Sequence, residues 1–193
     1  MNKLLSIDTE TTGIHEGVEL IEFSCVPACP VTREIREDLA FHTLIKCSSY
    51  ESLEPTLHEW VKEHNKELIE KAHTDGVEMY QFKADLHDYF NSDEIQNYLG
   101  EGRFEIVGKS MNSLDLPLLE RHLGWEFMRK YFSRSTIDVS DVSRYEVLKG
   151  NLPKGVTSSK KLMQHFEMGD DVEHTAFADC IDMLKIFFRL LDL

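Results

Sequence analysis

A pair of carboxylates at the end of a buried strand constrains this chain more than any other feature. Leu4, Leu5 and Ile7 make a short apolar run, read as a strand over Lys3–Asp8, and Glu10 follows two residues on. On a strand, residues i and i+2 share a face, so both carboxylates point the same way, about 6.6 Å apart along the chain. Two acids so placed repel each other unless a cation lies between them. Hard oxygen donors select a hard cation, Mg²⁺ or Mn²⁺. The plainer alternative is a turn: Thr9–Gly13 is polar, and Asp8 could cap it.

Size and charge narrow the classes open to such a strand. At 193 residues the chain is expected to form a single domain over residues 1–193, large enough to fold without disulfides or structural metals. Twenty-one basic residues against 35 acidic ones leave a net charge of −14. That excludes a sequence-blind grip on long duplex, which needs a basic surface. Any nucleic acid must be held locally. Cys25, Cys29, Cys47 and Cys180 form no CxxC pair and read as reduced thiols, which fits a cytoplasmic protein. The apolar run reaches Asp8 too soon for a signal peptide. The longest apolar stretch, near Phe187–Leu191, is bounded by Lys185 and Asp192 and interrupted by Arg189, so no membrane contact is expected.

Further strands are expected at Glu19–Val26 and Leu39–Ile45, making an antiparallel meander with the first, and another at Phe104–Val107. Leu57, Trp60, Val61, His64, Leu68 and Ile69 recur at helical spacing, as do Phe82, Leu86, Tyr89 and Phe90 within Met79–Leu99. Helices are also expected over Leu114–Leu123, Ser158–Phe166 and Thr175–Leu191. Gly150, Pro153 and Gly155 mark Ser140–Thr157 as a loop. Strands followed by alternating helices and a further strand indicate an α/β domain with a mixed sheet.

Two more acids stand where apolar residues belong. Asp115 shares the inward stripe of its helix with Leu118, Leu119 and His122, although an N-cap role would also explain it. Asp179 lies at the edge of the apolar face formed by Ala176, Cys180, Met183, Leu184 and Phe187. A mid-helix acid there is costly to bury unless it is paired or bound to a metal. His174 precedes that helix, where its ring can point back toward the same end; a satisfied surface histidine is the alternative.

Together these residues resemble a known family. Ser6-Ile7-Asp8-Thr9-Glu10-Thr11-Thr12-Gly13, then Gly108 through Asp115, then His174-x4-Asp179 are similar to the three motifs of the DEDDh 3′→5′ exonucleases. The resemblance implies an RNase H-like α/β fold with a mixed five-stranded sheet flanked by helices. It implies that Asp8, Glu10, Asp115 and Asp179 hold two divalent ions, Mg²⁺ or Mn²⁺, and that His174 is the general base. The substrate would be the 3′ end of single-stranded RNA or DNA, and the product a 5′-mononucleotide. A domain kept only for binding would have lost one of these five residues.

Within the family, Leu57-His58-Glu59-Trp60 with His64 resembles the oligoribonuclease segment that brackets terminal nucleotides. Ile14 falls where a base-wedging leucine sits. The resemblance places Thr11, Gly13, Ile14, Trp60, His64 and Ser110 at the substrate and favours short oligoribonucleotides. The tryptophan-to-histidine gap is one residue shorter here, the second motif one longer, and Arg134 stands near the place of the tyrosine that a dimer partner supplies. A homodimer is therefore an open expectation. Ser158–Phe166 is more like the proofreading epsilon subunit of DNA polymerase III, which makes a DNA exonuclease the alternative. For Trp60 itself, a core aromatic at helical spacing explains the pattern as well.

Overall fold

The computed structural model describes every residue except 1, 2, 15, 16 and 170–173. In chain order the elements begin with β1 (Leu4–Thr11), β2 (Leu20–Cys29), β3 (Glu34–Ile35) and β4 (Phe41–Leu44). Helices α1 (Tyr50–Leu53), α2 (Glu59–His64), α3 (Lys66–Asp75), α4 (Met79–Asn91) and α5 (Asp93–Leu99) follow, then β5 (Phe104–Gly108). The chain ends with α6 (Asp115–Leu123), α7 (Trp125–Tyr131), β6 (Phe132–Asp138), α8 (Val139–Lys149), α9 (Ser159–His165) and α10 (Ala176–Leu191).

The sheet has the order β3-β2-β1-β5-β6, with β4 also paired to β2. β1 runs antiparallel to β2 and parallel to β5, and β5 runs parallel to β6. Six strands replace the expected five, and β3 and β6 are the two whose positions the sequence did not indicate. The two-residue β3 pairs with Ala28 and Cys29 while β4 pairs with Glu22 to Cys25, so both lie along the same edge of β2.

The phase of β1 organises both layers. Leu5 and Ile7 face a core with Phe82, Leu86 and Phe90 of α4, Leu118 and Leu119 of α6, and Phe127 of α7. Leu4 faces the other core, with Val107 of β5 and Cys180, Leu184 and Phe187 of α10. Ser6, in the same phase as Leu4, donates its hydroxyl to the Cys180 carbonyl oxygen at 3.0 Å. Asp8 and Glu10 continue that phase and so lie on the α10 side. The strand runs three residues beyond Asp8, to Thr11, so Asp8 sits within a ladder and caps no turn. A smaller apolar cluster around Ile21 anchors α2 and α3 through Val61, Ile69 and Ala72.

The expected loop over Ser140–Thr157 is half helix. Its inward residues on α8 are Val139, Ser143 and Glu146. Val142 and Val147 also pack against the core, but polar Ser143 and Glu146 take two of the three buried positions and break the apolar period. Asp138 caps it by accepting from the Ser140 N–H at 2.8 Å, and Gly150 ends it in the left-handed region. β6 was equally unannounced, because Ser133, Arg134 and Ser135 line an open sheet edge without apolar alternation.

Gly108 ends β5 beside β1. A Cβ there would come within 2.5 Å of Met111 Sδ and 2.9 Å of the Ile7 carbonyl oxygen. Gly108→Ala is therefore expected to lose about 1–3 kcal/mol, the usual size of an overpacking penalty. It should also displace the turn leading to Asp115. Chemical denaturation checks this, and an unchanged midpoint would contradict the close approach.

Candidate active site

Three acids meet between β1 and α10. Carboxylate oxygens of Asp8, Glu10 and Asp179 all lie within 4.8 Å of one another. None of the three forms an ion pair with a lysine or arginine among the described residues. Burial pushes the Asp8 carboxyl well above the usual range, and the charges of Asp115, Asp179 and Glu10 push it further. Glu10 is raised to about 7 by burial and then by Asp179 and Glu22, against a hydrogen bond from Asn65 Nδ2 at 3.4 Å. Asp179 is raised to about 6 by burial and by Asp182, with Lys109 opposing.

At an effective dielectric of 20, like charges 4 Å apart repel by about 4 kcal/mol. Burial and mutual repulsion thus make it costly to ionise all three together without a counter-charge. The donors are hard oxygens on two rigid elements, a set that fits a small divalent cation.

Asp115 stands one step back from this group. It is the first residue of α6 and is buried, and its Oδ1 accepts from the Thr9 hydroxyl at 2.5 Å. Thr9 alternates with Asp8 and Glu10 along β1, so the strand holds Asp115 by a hydroxyl in the opposite phase. Leu114, not Asp115, is the N-cap residue, which removes the capping explanation. Burial raises the Asp115 carboxyl and the Thr9 hydrogen bond opposes this.

His174 is exposed, two residues before α10, and belongs to a cluster of three rings. Trp60 stacks on His64, with centroids 4.5 Å apart and planes at 12°. Both meet the His174 ring edge-on, at 6.1 and 6.2 Å. His64 Nδ1 donates to the Trp60 carbonyl oxygen at 2.8 Å, closing one turn of α2. Trp60 is 48% exposed and absent from the apolar cores, so the core explanation of its spacing fails.

The remaining expected residues scatter. Thr11 is buried, and its hydroxyl donates to the Gly13 carbonyl oxygen at 2.6 Å, shaping the turn after β1. Ile14 beyond it is 90% exposed. Ser110 takes a positive φ of 56°, its N–H donates to Asp138 Oδ1, and its hydroxyl contacts Ser140. Its partners thus lie at the β6–α8 junction and not among the acids. Asn65 and Lys109 reach the site without having been singled out. Their types carry no signal, since polar residues near a turn are commonplace.

The raised carboxyls give a pH dependence of definite sign. Glu10 keeps its proton up to about 7 when folded, against an ordinary value of 4.5. Its contribution to stability is complete below the lower value and is lost as pH rises through the upper one. In metal-free protein, Glu10→Gln should therefore raise the melting temperature at pH 8 and leave it nearly unchanged at pH 4.5. An equal shift at both pH values would contradict the raised Glu10 carboxyl.

No family model matches the chain, and no curated protein matches it. Solved structures do. The nuclease domain of 3′hExo, a DEDDh family member, bound to rAMP, superposes with a TM-score of 0.67 at 14% identity, covering 99% of this chain and 92% of that one. Cell-death related nuclease 4 (CRN-4) gives 0.71 at 18%, over 99% of this chain and 64% of that one. Exonuclease I gives 0.69 at 16%, over all of this chain and 43% of that one. The chain thus has the α/β, RNase H-like fold of these nucleases, with a six-stranded mixed sheet flanked by helices.

Proposed function

We propose that this chain is a divalent-metal-dependent 3′→5′ exonuclease of the DEDDh type, acting on short single-stranded oligonucleotides and favouring RNA. One observation carries the proposal: Asp8, Glu10 and Asp179 converge without a lysine or arginine partner among the described residues, and His174, five residues before Asp179, meets the exposed Trp60–His64 ring pair edge-on. The fold shared with 3′hExo, CRN-4 and exonuclease I over the whole chain supports it, and supports a single exonuclease domain over residues 1–193.

In this reading Asp8, Glu10 and Asp179 hold the cation directly, and Asp115, steadied by Thr9, completes the acidic set. Bound Mg²⁺ or Mn²⁺ supplies the charge that grips the scissile phosphate and activates a water. His174 would serve as the general base for the attacking water, and its exposed ring could release the proton to solvent. Edge-on contact with Trp60 and His64 limits how far the imidazole can swing. The Trp60–His64 stack offers an aromatic surface to a terminal base, and exposed Ile14 offers an apolar one. The four cysteines are free thiols, which supports a reducing, cytoplasmic setting. No described helix is long and apolar enough to cross a membrane.

A DNA 3′ end is the alternative occupant, because stacked rings accept any base. The short-substrate preference rests on charge: with −14 overall, few phosphates beyond the site can be held. Labelled RNA and DNA from dimers to 24-mers should give kcat/KM values that barely rise with length and depend weakly on salt. A steep rise with length and a steep salt slope would identify an extended strand-binding track instead.

His174→Ala should lower kcat roughly 10²–10⁴-fold, the usual size of a general-base effect, with Mn²⁺ binding intact. Loss of the ion by calorimetry would reassign the residue. Trp60→Ala should raise KM by a factor equivalent to about 1–3 kcal/mol per stacked base, with an unchanged melting temperature. A lower melting temperature with normal KM would make Trp60 structural.

A further inference from the structure

A fifth acid sits behind the site and is not among the acids that hold the cation in the reading above. Glu22 of β2 is 2% exposed and lies directly opposite Glu10 in the β1–β2 register. Directly opposed residues project from the same face of a sheet. A carboxylate buried this deeply is costly unless its oxygens are satisfied. Both are. Oε2 accepts the backbone N–H of Ala176 at 2.9 Å, and Oε1 accepts from His42 Nε2 at 2.6 Å.

Ala176 is the first residue of α10, and its N–H is one of the donors a helix leaves without an internal partner. Glu22 thus meets the positive end of α10. The Thr175 hydroxyl oxygen accepts from the Ala178 N–H at 3.2 Å, so the first turn is tied twice. The ring of His42 packs against Phe177 with centroids 6.0 Å apart, a second hold on the same turn. His42 itself comes from β4, opposite Ser24 of β2.

The placement of this knot matters. His174 is two residues before Ala176, and Asp179 is three residues after it. The opposite end of the contact is β2, whose neighbour β1 carries Asp8 and Glu10. Ala176 N–H to Glu22 is therefore a direct bond between the strand pair that supplies two of the acids and the junction that supplies the third acid and the histidine. Rotation or slippage of α10 by a fraction of a turn would carry Asp179 away from β1.

We propose that Glu22, with His42 behind it, is a positioning residue that sets the N-terminus of α10 against β1 and so fixes Asp179 and His174 relative to Asp8 and Glu10. The inference rests on the exonuclease reading for its kinetic consequence and on geometry alone for its structural one. Both carboxylate oxygens of Glu22 are taken up by Ala176 and His42, so it acts through α10 and not on the reacting atoms. Its charge also bears on Asp8, Glu10 and Asp179, so loss of charge and loss of the hydrogen bond must be separated experimentally.

The test uses the full chain with Glu22→Ala, Glu22→Gln and His42→Ala. Amide hydrogen exchange over Ala176–Asp179 is measured without metal, Mn²⁺ affinity by titration, and kcat and KM on a labelled oligonucleotide. Glu22→Ala should speed exchange in the first turn of α10 and lower Mn²⁺ affinity and kcat by roughly 10–100-fold, with KM nearly unchanged, as for groups that support a site's ligands. Glu22→Gln keeps an acceptor for the Ala176 N–H and should recover most of both losses. His42→Ala should fall between them, and it carries the test if Glu22→Ala does not fold.

Wild-type exchange and kcat in both Glu22→Ala and His42→Ala would overturn the proposal. So would a Glu22→Gln variant as impaired as Glu22→Ala, which would make charge the operative property. If the wild-type protein degrades no nucleic acid, the exonuclease reading fails, while faster exchange and weaker Mn²⁺ binding in Glu22→Ala still uphold the positioning role.

Discussion

The packing of α10 across β1 is the contact on which the site depends. Leu4 and Ser6 set the phase: Leu4 enters the apolar layer under α10, and Ser6 bonds to the Cys180 carbonyl oxygen. Continuing that phase by two and four residues from Ser6 brings Asp8 and Glu10 to the level where α10 presents Asp179. The apolar residues of one helix face thus decide the spacing of three carboxylates. Those carboxylates, left to themselves, would separate. Burial of Cys180, Met183, Leu184 and Phe187 holds them together against their repulsion.

Storing repulsion in this way has a functional use. A site whose acids are already close and poorly solvated gains more from a cation than a set of hydrated surface acids does. The raised carboxyls of Asp8, Glu10 and Asp179 are the signature of that arrangement. The opposite face of β1 carries a quieter version of the same device. There Thr9 bonds to Asp115, a neutral donor stabilising a buried acid beside the group. Alternation along β1 thus turns Asp8 and Glu10 toward α10 and Thr9 toward Asp115 of α6.

The acids were legible in the sequence because each interrupts an apolar pattern. Asp8 and Glu10 follow an apolar run, Asp115 lies on an inward stripe, and Asp179 edges the apolar face of α10. Glu22 breaks a buried run in the same manner, within Leu20-Ile21-Glu22-Phe23, but no second acid at strand spacing marks it out. Its partners, a backbone N–H 154 residues away and a histidine on another strand, leave no trace in local sequence. The helix α8 and the strand β6 were illegible for a related reason. Their inward positions are held by hydrogen-bonded serine and glutamate, or lie on an open edge, and so show no unbroken hydrophobic period. Trp60 could be placed on a helix by spacing, but only its exposure, with its ring stacked on His64, separates a surface ring from a core one.

Cation-dependent cutting of nucleic acid from its 3′ end is the activity proposed for these acids. The most direct measurement follows 5′-labelled and 3′-labelled copies of one short RNA, with Mn²⁺ or Mg²⁺ and then with excess chelator. The account predicts that the 3′ label leaves first as a mononucleotide bearing a 5′-phosphate, that the 5′ label shortens one nucleotide at a time, and that chelation stops both. Internal cleavage, or undiminished turnover in chelator, would contradict it.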